Sequence, residues 1–318
     1  MDNTPTVLDT PPRRPFSFDG RFWAFPITRI VLYLLVAVLF AVVSSLILRE
    51  ALKLTHHHKG QNIYLLGFLG EGLGAASAIL AFWVMVRFVD RRPWETAGFG
   101  VRGLGGLLVG FVLGAAMLTV GVGVMRLLGV YHVSGVTPSV LVLAPLLLFL
   151  CVGVFEETFF RGYIFQTLED RWGSGVALGA TSLVFGLTHL LNPAHGASGF
   201  ARLAGPLFIC LEAGLPLGAA YLLTRRWWLS IGIHWAWDYF EGPVYGCPDS
   251  GTHDPHTLLQ AHFSGSALLT GGPFGPESGV IFLLVGTAVG LILLRAAIKK
   301  GEWRPLPGRH RAVAIASA

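Results

Sequence analysis

The stretch from Val154 to Phe165, VFEETFFRGYIF, places two carboxylates and a guanidinium at the end of an apolar segment. That segment, about residues 138–160, has the length that a membrane-spanning helix needs. Charged side chains at membrane depth cost at least about 2.5 kcal/mol each, so they persist where partners and a function compensate for the cost. The stretch therefore predicts a membrane helix that carries a polar functional site.

The composition of the whole chain also indicates a membrane protein. Of the 318 residues, 53% are hydrophobic and only 13% are charged, which is too few charges to cover a soluble protein of this size. The predicted fold class is therefore all-α, a polytopic bundle of about eight transmembrane helices. The expected spans are residues 28–48, 63–87, 104–125, 138–160, 175–191, 203–223, 227–245 and 279–297.

Positive charges flank the expected spans, although Lys and Arg are absent from Trp227 through Leu294. The net charge of +5 thus indicates membrane topology and no nucleic-acid partner. The positive-inside rule predicts a multi-pass protein, in the plasma membrane if the source is prokaryotic, with both termini cytoplasmic. We expect a cytoplasmic N-terminal tail over 1–26, a transmembrane domain over 27–298 and a cytoplasmic C-terminal tail over 299–318. The Gly-rich and Pro-rich connection 246–278 is expected to be a loop.

Helical spacing divides the roles of the two adjacent glutamates. Glu157 and Arg161 are four residues apart and share a helix face. Glu156 points roughly 100° away from that face. We therefore expect Arg161 to neutralise Glu157 as a supporting pair, and Glu156 to be free for general acid or base chemistry.

Two later segments carry further pairs at helical spacing. Phe185 and His189 are four apart in LVFGLTHLLNP, and His234 and Asp238 are four apart in IGIHWAWDYF. Each pair lies on one face of its predicted helix. These helices and the one bearing Glu156 could present their polar side chains to one internal cavity.

The residue types in this constellation are compatible with two hydrolytic mechanisms. In one, Glu156 assisted by His189 polarises a water for attack on a peptide carbonyl, while His234 with Asp238 serves the oxyanion and the leaving amine. This mechanism requires no cofactor. In the other, Glu156, His189 and His234 hold a zinc ion with an open position for water. The HExxH helix of metalloproteases is absent, and the sequence leaves both mechanisms open.

Three ordered motifs resemble those of a known family. EETFFRG at 156–162, FGLTH at 185–189 and HWAWD at 234–238 are similar to the EExxxR, FxxxH and HxxxN/D motifs of the CPBP family. This family includes the CAAX prenyl endopeptidases of the Ras-converting type and bacterial Abi proteins. The resemblance covers about residues 138–240. It implies an intramembrane, glutamate-dependent endopeptidase that acts on a membrane protein or a lipidated peptide within the lipid bilayer.

The resemblance also implies roles for individual residues. Glu156 and His189 would activate water, and His234 with Asp238 would form the oxyanion site. The family often has Asn where this chain has Asp238, and an ionised Asp has no proton to donate. Asp238 would therefore orient His234 or be protonated. The supporting residues would be Glu157, Arg161 and Phe185.

Other functional classes compete with a protease. A non-hydrolytic membrane scaffold or immunity protein could keep the same fold. A proton-coupled transporter would use the same ionisable groups, but it predicts internal repeats, and none is found in the sequence. Ser198 in GASG imitates the nucleophile motif of rhomboid proteases, although a Gly-rich turn is the favoured interpretation. The tract His56–His58 is interpreted as a solvated loop rather than a metal site.

Two further features of the spans concern helix packing. Gly106, Gly110 and Gly114 have the small-xxx-small spacing that lets another helix approach closely, and internal packing is the expected use. Glu71 and Glu212 lie within predicted spans. They are expected to form helix–helix hydrogen bonds or, alternatively, to line a cavity or carry protons.

Overall fold

Helices dominate the computed structural model, which describes residues 25–54, 63–192 and 200–306. The expected all-α class is confirmed. The helices in the first part of the described chain are α1 (Pro26–Leu54), α2 (Ile63–Val84), α3 (Gly105–Leu127), α4 (Pro145–Glu157) and α5 (Phe165–Thr188). They are followed by α6 (Phe200–Glu212), α7 (Gly214–Thr224), α8 (Trp228–Tyr239), the short α9 (Ala267–Thr270) and α10 (Val280–Lys299).

The expected count of eight spans stays a prediction, because the count from the structure rests on length and composition alone. Six stretches of the described residues are long and apolar enough to cross a membrane. Val140–Leu191 is one such stretch and contains two of the expected spans, 138–160 and 175–191, on either side of a break at Gly173. The helix α8 is too short to count alone, because it has 12 residues before a π-helical turn at Phe240–Val244. The other five are Pro26–Glu50, Tyr64–Val89, Gly105–Leu127, Arg202–Thr224 and Val280–Lys299.

Helix α8 is buried inside the bundle, where it crosses α3 at glycines. A Cβ atom added at Gly110 would lie 2.3 Å from the carbonyl oxygen of Leu229, and one at Gly232 would lie 2.1 Å from that of Leu107. Such contacts are far inside van der Waals distance, so the backbones approach as closely as they do only because both positions lack a Cβ. The glycine spacing in α3 therefore serves internal packing, as predicted.

The α4 helix continues into a π-helical turn over Thr158–Ile164, which leads into α5. π-helical turns widen a helix by one residue and are frequent at functional sites. Among the described residues, the chain has further π turns at Met85–Val89 and at Phe240–Val244. Two of the three therefore directly follow helices that carry predicted site residues.

The segment between α8 and α10 is more ordered than a loop composition suggests. It contains strand β2 (Leu259–Phe263), which pairs antiparallel with β1 (Tyr131–Val136) after α3. The hydroxyl of Tyr64 at the start of α2 donates a 2.5 Å hydrogen bond to Oδ1 of Asp254 in the same segment. These contacts hold the segment against α2 and α3.

Candidate active site

The carboxylate of Glu157 is buried, and one of its two oxygens has charged partners. Its side chain is 0% exposed, and its Oε1 atom accepts a 2.7 Å hydrogen bond from Nη1 of Arg161. The same Oε1 atom lies 3.0 Å from Nδ1 of His234 on α8. Arg161 also donates from Nη2 to the carbonyl oxygen of Gly214 at 3.3 Å. One oxygen atom thus joins α4, the following π turn and α8.

The contact with Glu157 determines how His234 is oriented. Because an ionised carboxylate only accepts hydrogen bonds, Nδ1 of His234 carries the proton in this pair. The other ring nitrogen, Nε2, lies 3.8 Å from Oε2 of Glu156 and 3.7 Å from Oδ2 of Asp238. Both distances exceed a hydrogen bond. His234 is therefore oriented by Glu157 and not through a hydrogen bond to Asp238, which the sequence reasoning had considered.

The imidazole of His189 is oriented from its own helix. Its Nδ1 lies 2.9 Å from the carbonyl oxygen of Phe185, and a carbonyl only accepts, so Nδ1 is the donor. The Nε2 atom of a neutral His189 is then an acceptor. The His189 ring also packs on Phe185, with 5.1 Å between ring centroids.

Phe185 packs between the polar groups and is 2% exposed. Its ring centroid lies 5.8 Å from that of His234 in an edge-to-face contact. The guanidinium carbon of Arg161 lies 4.8 Å from the same ring centroid. The aromatic ring therefore restrains both imidazoles and covers the buried ion pair with an apolar, polarisable surface.

One cavity of about 320 Å³ brings together the four residues that the sequence predicts as catalytic. Glu71 of α2 and Glu212 of α6 also line it. Neither carboxylate oxygen of Glu212 has a hydrogen-bond partner among the described residues. Of the interpretations of Glu212, cavity lining is the one that the structure supports. The predicted catalytic residues on its wall are Glu156, His189, His234 and Asp238.

The cavity has an acidic wall that the sequence analysis did not single out. Asp249 and Glu277, which lie between α8 and α10, both line it. Burial raises the pKa of Asp249 to about 7, with His234 opposing and Glu156 adding to the shift. Burial, together with Asp249, raises the pKa of Glu277 to about 8, against hydrogen bonds from Ser250.

Metal-ligating atoms gather at one place within the described ranges. One oxygen from each of Glu241, Asp249 and Glu277 lies within 4.8 Å of the other two. Among the described side chains, the ligand atoms of Glu156, His189 and His234 do not all lie within 4.8 Å of one another. The zinc alternative for these three residues stays a prediction.

Two residue sets from the sequence analysis lie outside the described residues. They are Ser198 and the tract His56–His58. In the sequence, Ser198 falls between Asn192 and α6, and the histidine tract between α1 and α2.

Comparison with protein families gives one match. The family model described as Rce1-like, type II CAAX prenyl endopeptidase, matches residues 138–240, about a third of the chain. No curated protein and no solved structure matches the chain. The matched region begins before α4 and ends after α8. It therefore contains all four predicted catalytic residues on the cavity wall.

Proposed function

We propose that this integral membrane protein, whose residues 138–240 form an Rce1-like CAAX protease domain, hydrolyses a peptide bond of a membrane-associated protein with Glu156 as general base. The observation that carries the proposal is the convergence of Glu156, His189, His234 and Asp238 on one cavity. General-base hydrolysis needs a base that reaches a water and a donor for the oxyanion, and these residue types can supply both.

Glu156 is suited to be the base because it is accessible where its neighbour is not. Its side chain is 26% exposed, whereas that of Glu157 is 0% exposed and has its Oε1 atom engaged. A water between Glu156 and the Nε2 acceptor of His189 would lose a proton to the carboxylate as its oxygen attacks the peptide carbonyl carbon. The C–N bond then breaks, and the proton passes to the leaving amine.

His234 is suited to stabilise the negative oxygen that develops on the carbonyl. With Nδ1–H held by Glu157, an imidazolium at His234 would donate from Nε2 into the cavity. Neighbouring carboxylates at 3.8 Å and 3.7 Å favour that positive charge. Asp238 would join as a donor only in its protonated form. In this proposal Glu157, Arg161 and Phe185 position the imidazole.

The proposed substrate is a lipidated protein or peptide at the bilayer. The name of the matched family refers to prenylated CAAX proteins, and the cavity lies within a bundle of membrane helices. We propose that a prenylated chain enters from the lipid, so that its peptide reaches Glu156 while its lipid stays in the bilayer.

The test is cleavage of a fluorogenic prenylated CAAX peptide by the purified protein in liposomes, with an unprenylated peptide of the same sequence beside it. Glu156→Gln should lower the rate by at least about 100-fold, because the base is lost. His189→Ala should also lower it. Asp170→Asn, at a partly exposed acid that pairs with Arg304, is the control and should keep the rate.

Three outcomes would overturn parts of the proposal. Cleavage that persists in Glu156→Gln would refute the base. A rate that disappears after exhaustive chelation and returns with zinc would replace the metal-free mechanism by the zinc mechanism at Glu156, His189 and His234. Absence of cleavage of either peptide by the folded wild type would favour a non-hydrolytic scaffold.

A further inference from the structure

A second cluster of carboxylates lies where the segment after α8 folds back on the bundle. Glu241 belongs to the π turn after α8, Asp249 to a tight turn, and Glu277 to the 3₁₀ turn before α10. One oxygen from each lies within 4.8 Å of the other two. That separation fits oxygens on opposite sides of a cation with bonds of about 2.4 Å.

The part of the chain that contains the cluster has no Lys or Arg side chain to neutralise it. No Lys or Arg occurs from Trp227 through Leu294. The imidazole of His234 interacts with Asp249 over a distance, but its Nδ1 is engaged by Glu157. Buried carboxylates without a compensating charge are strongly unfavourable, so either protons or a bound cation must neutralise them.

Glu241 provides a separate observation that indicates a ligand. Its side chain is 0% exposed, and neither of its carboxylate oxygens has a hydrogen-bond partner among the described residues. Glu277, by contrast, accepts a hydrogen bond from the hydroxyl of Ser250. Buried polar groups normally have a hydrogen-bond partner. A buried carboxylate that has none, and whose oxygen lies close to the oxygens of two other acids, is therefore what we expect of a metal ligand.

The backbone around the cluster is held in place by its own contacts. The amide of Cys247 donates to the carbonyl oxygen of Glu241 at 2.9 Å, and the amide of Gly251 donates to that of Phe274 at 2.6 Å. At Gly275, with φ of +120°, an added Cβ would lie 2.2 Å from the carbonyl oxygen of Pro248. Glycine is therefore required there for the two turns to meet. The three carboxylates are presented by a preorganised frame.

We propose that Glu241, Asp249 and Glu277 bind one divalent cation of the hard, oxygen-preferring class, with Ca²⁺ as the expected ion. All three ligands are carboxylates, and zinc sites usually include nitrogen or sulfur. The ion would tie the segment between α8 and α10 to the end of α8 and would thereby fix the acidic wall of the cavity. This site uses none of the groups proposed for catalysis.

The experiment uses the full-length protein in detergent, stripped with EGTA and then titrated with Ca²⁺ at constant ionic strength. Equilibrium dialysis with radioactive calcium should give about one ion per chain, and the thermal unfolding temperature should rise with Ca²⁺. Glu241→Gln and Glu277→Gln should each weaken binding at least about tenfold, because each removes a charged ligand. Asp170→Asn, an acid elsewhere on the protein, should bind as the wild type does.

Each contrary result overturns the proposal. Absence of binding up to millimolar Ca²⁺, Mg²⁺ or Mn²⁺ would show that shared protons neutralise the cluster. Equal binding in the wild type and in both folded Gln variants would place the ion elsewhere. Binding of zinc alone, removed by His189→Ala but not by Glu241→Gln, would assign the metal to the candidate active site. Because the readout is binding, its failure is distinguishable from failure of the proposed protease activity.

Discussion

Glu157 and Glu241 are both 0% exposed, and both lie where a bundle helix passes into a π-helical turn, but their partners differ. Glu157 interacts with Arg161 and His234. Glu241 has no hydrogen-bond partner for its carboxylate within the described part of the chain. A buried acid can thus have charged partners from the chain itself, or it can lack a hydrogen bond within the described residues, as Glu241 does. The pair teaches that burial alone does not tell these two cases apart.

Removal of the Arg161 guanidinium should have the largest effect on stability. Arg161→Met would leave Glu157 buried and uncompensated, and we expect the free energy of unfolding to fall by about 3–5 kcal/mol. Denaturation of the purified protein in mixed micelles measures this loss. The control is Lys300→Met, since the side chain of Lys300 is 55% exposed and its pair with Glu302 is 3.4 Å long. That change should cost at most about 1 kcal/mol. Equal losses in the two variants would contradict the assigned role of Arg161.

The same substitution should have opposite effects at the two acids. Glu157→Gln weakens charge-assisted hydrogen bonds to Arg161 and His234, and should cost about 1.5–3 kcal/mol. Glu241→Gln, measured in EGTA, removes a buried carboxylate that must otherwise take up a proton or repel Asp249 and Glu277, and the unfolding temperature should rise. A parallel thermal series on both variants makes the comparison. Destabilisation of the EGTA-treated protein by Glu241→Gln would show that Glu241 has a partner within the protein.

The crossing of α8 with α3 affects both acids. Helix α8 carries His234, which contacts Glu157, and it leads directly to Glu241. Gly110→Ala would force a Cβ against the backbone of Leu229, and we expect a loss of about 1–3 kcal/mol. In the same helix, a Cβ at Gly123 would meet no described atom within 4 Å. Gly123→Ala should therefore be neutral or stabilise by up to about 1 kcal/mol. Equal unfolding temperatures for both variants would argue against a close crossing.

A smaller effect on stability is expected from the Tyr64–Asp254 hydrogen bond, the tether that joins α2 to the segment containing Asp249. Tyr64→Phe removes the hydrogen bond to Asp254 and should cost about 0.5–1.5 kcal/mol. The loss should be local, so hydrogen exchange of the amides near Asp254 should accelerate while exchange near Glu157 stays constant. Unchanged exchange in both regions would show that the tether does not restrain the segment.

Much of the fold and part of the site follow from local sequence patterns. Hydropathy indicates the membrane bundle, and helical spacing places Glu157 with Arg161 on one face, as the 2.7 Å ion pair confirms. The glycine spacing in α3 correctly predicts close internal packing. These features depend on residues within one or two helical turns of each other, so periodicity is sufficient to reveal them.

The features that the sequence does not reveal are those that join distant elements. The contact between Glu157 and His234 spans 77 residues, and no spacing rule indicates it. Hydropathy predicts one span over 227–245, whereas the structure divides this stretch into α8 and a π-helical turn that hydropathy does not indicate. Asp249 and Glu277 belong to a segment whose Gly and Pro content predicts a loop. The pairing of β1 with β2, the hydrogen bond from Tyr64 to Asp254 and the turns near Gly275 bring that segment to the cavity.

The single oxygen of Glu157 that contacts both Arg161 and His234 has a consequence for how this site can change. Interaction energies that share one acceptor are not additive, so the effect of a substitution at either position depends on the residue at the other. A variant that replaces the arginine alone also disturbs the imidazole, and the reverse holds as well. Any redesign of this protein toward a new substrate must therefore treat Glu157, Arg161 and His234 as one unit.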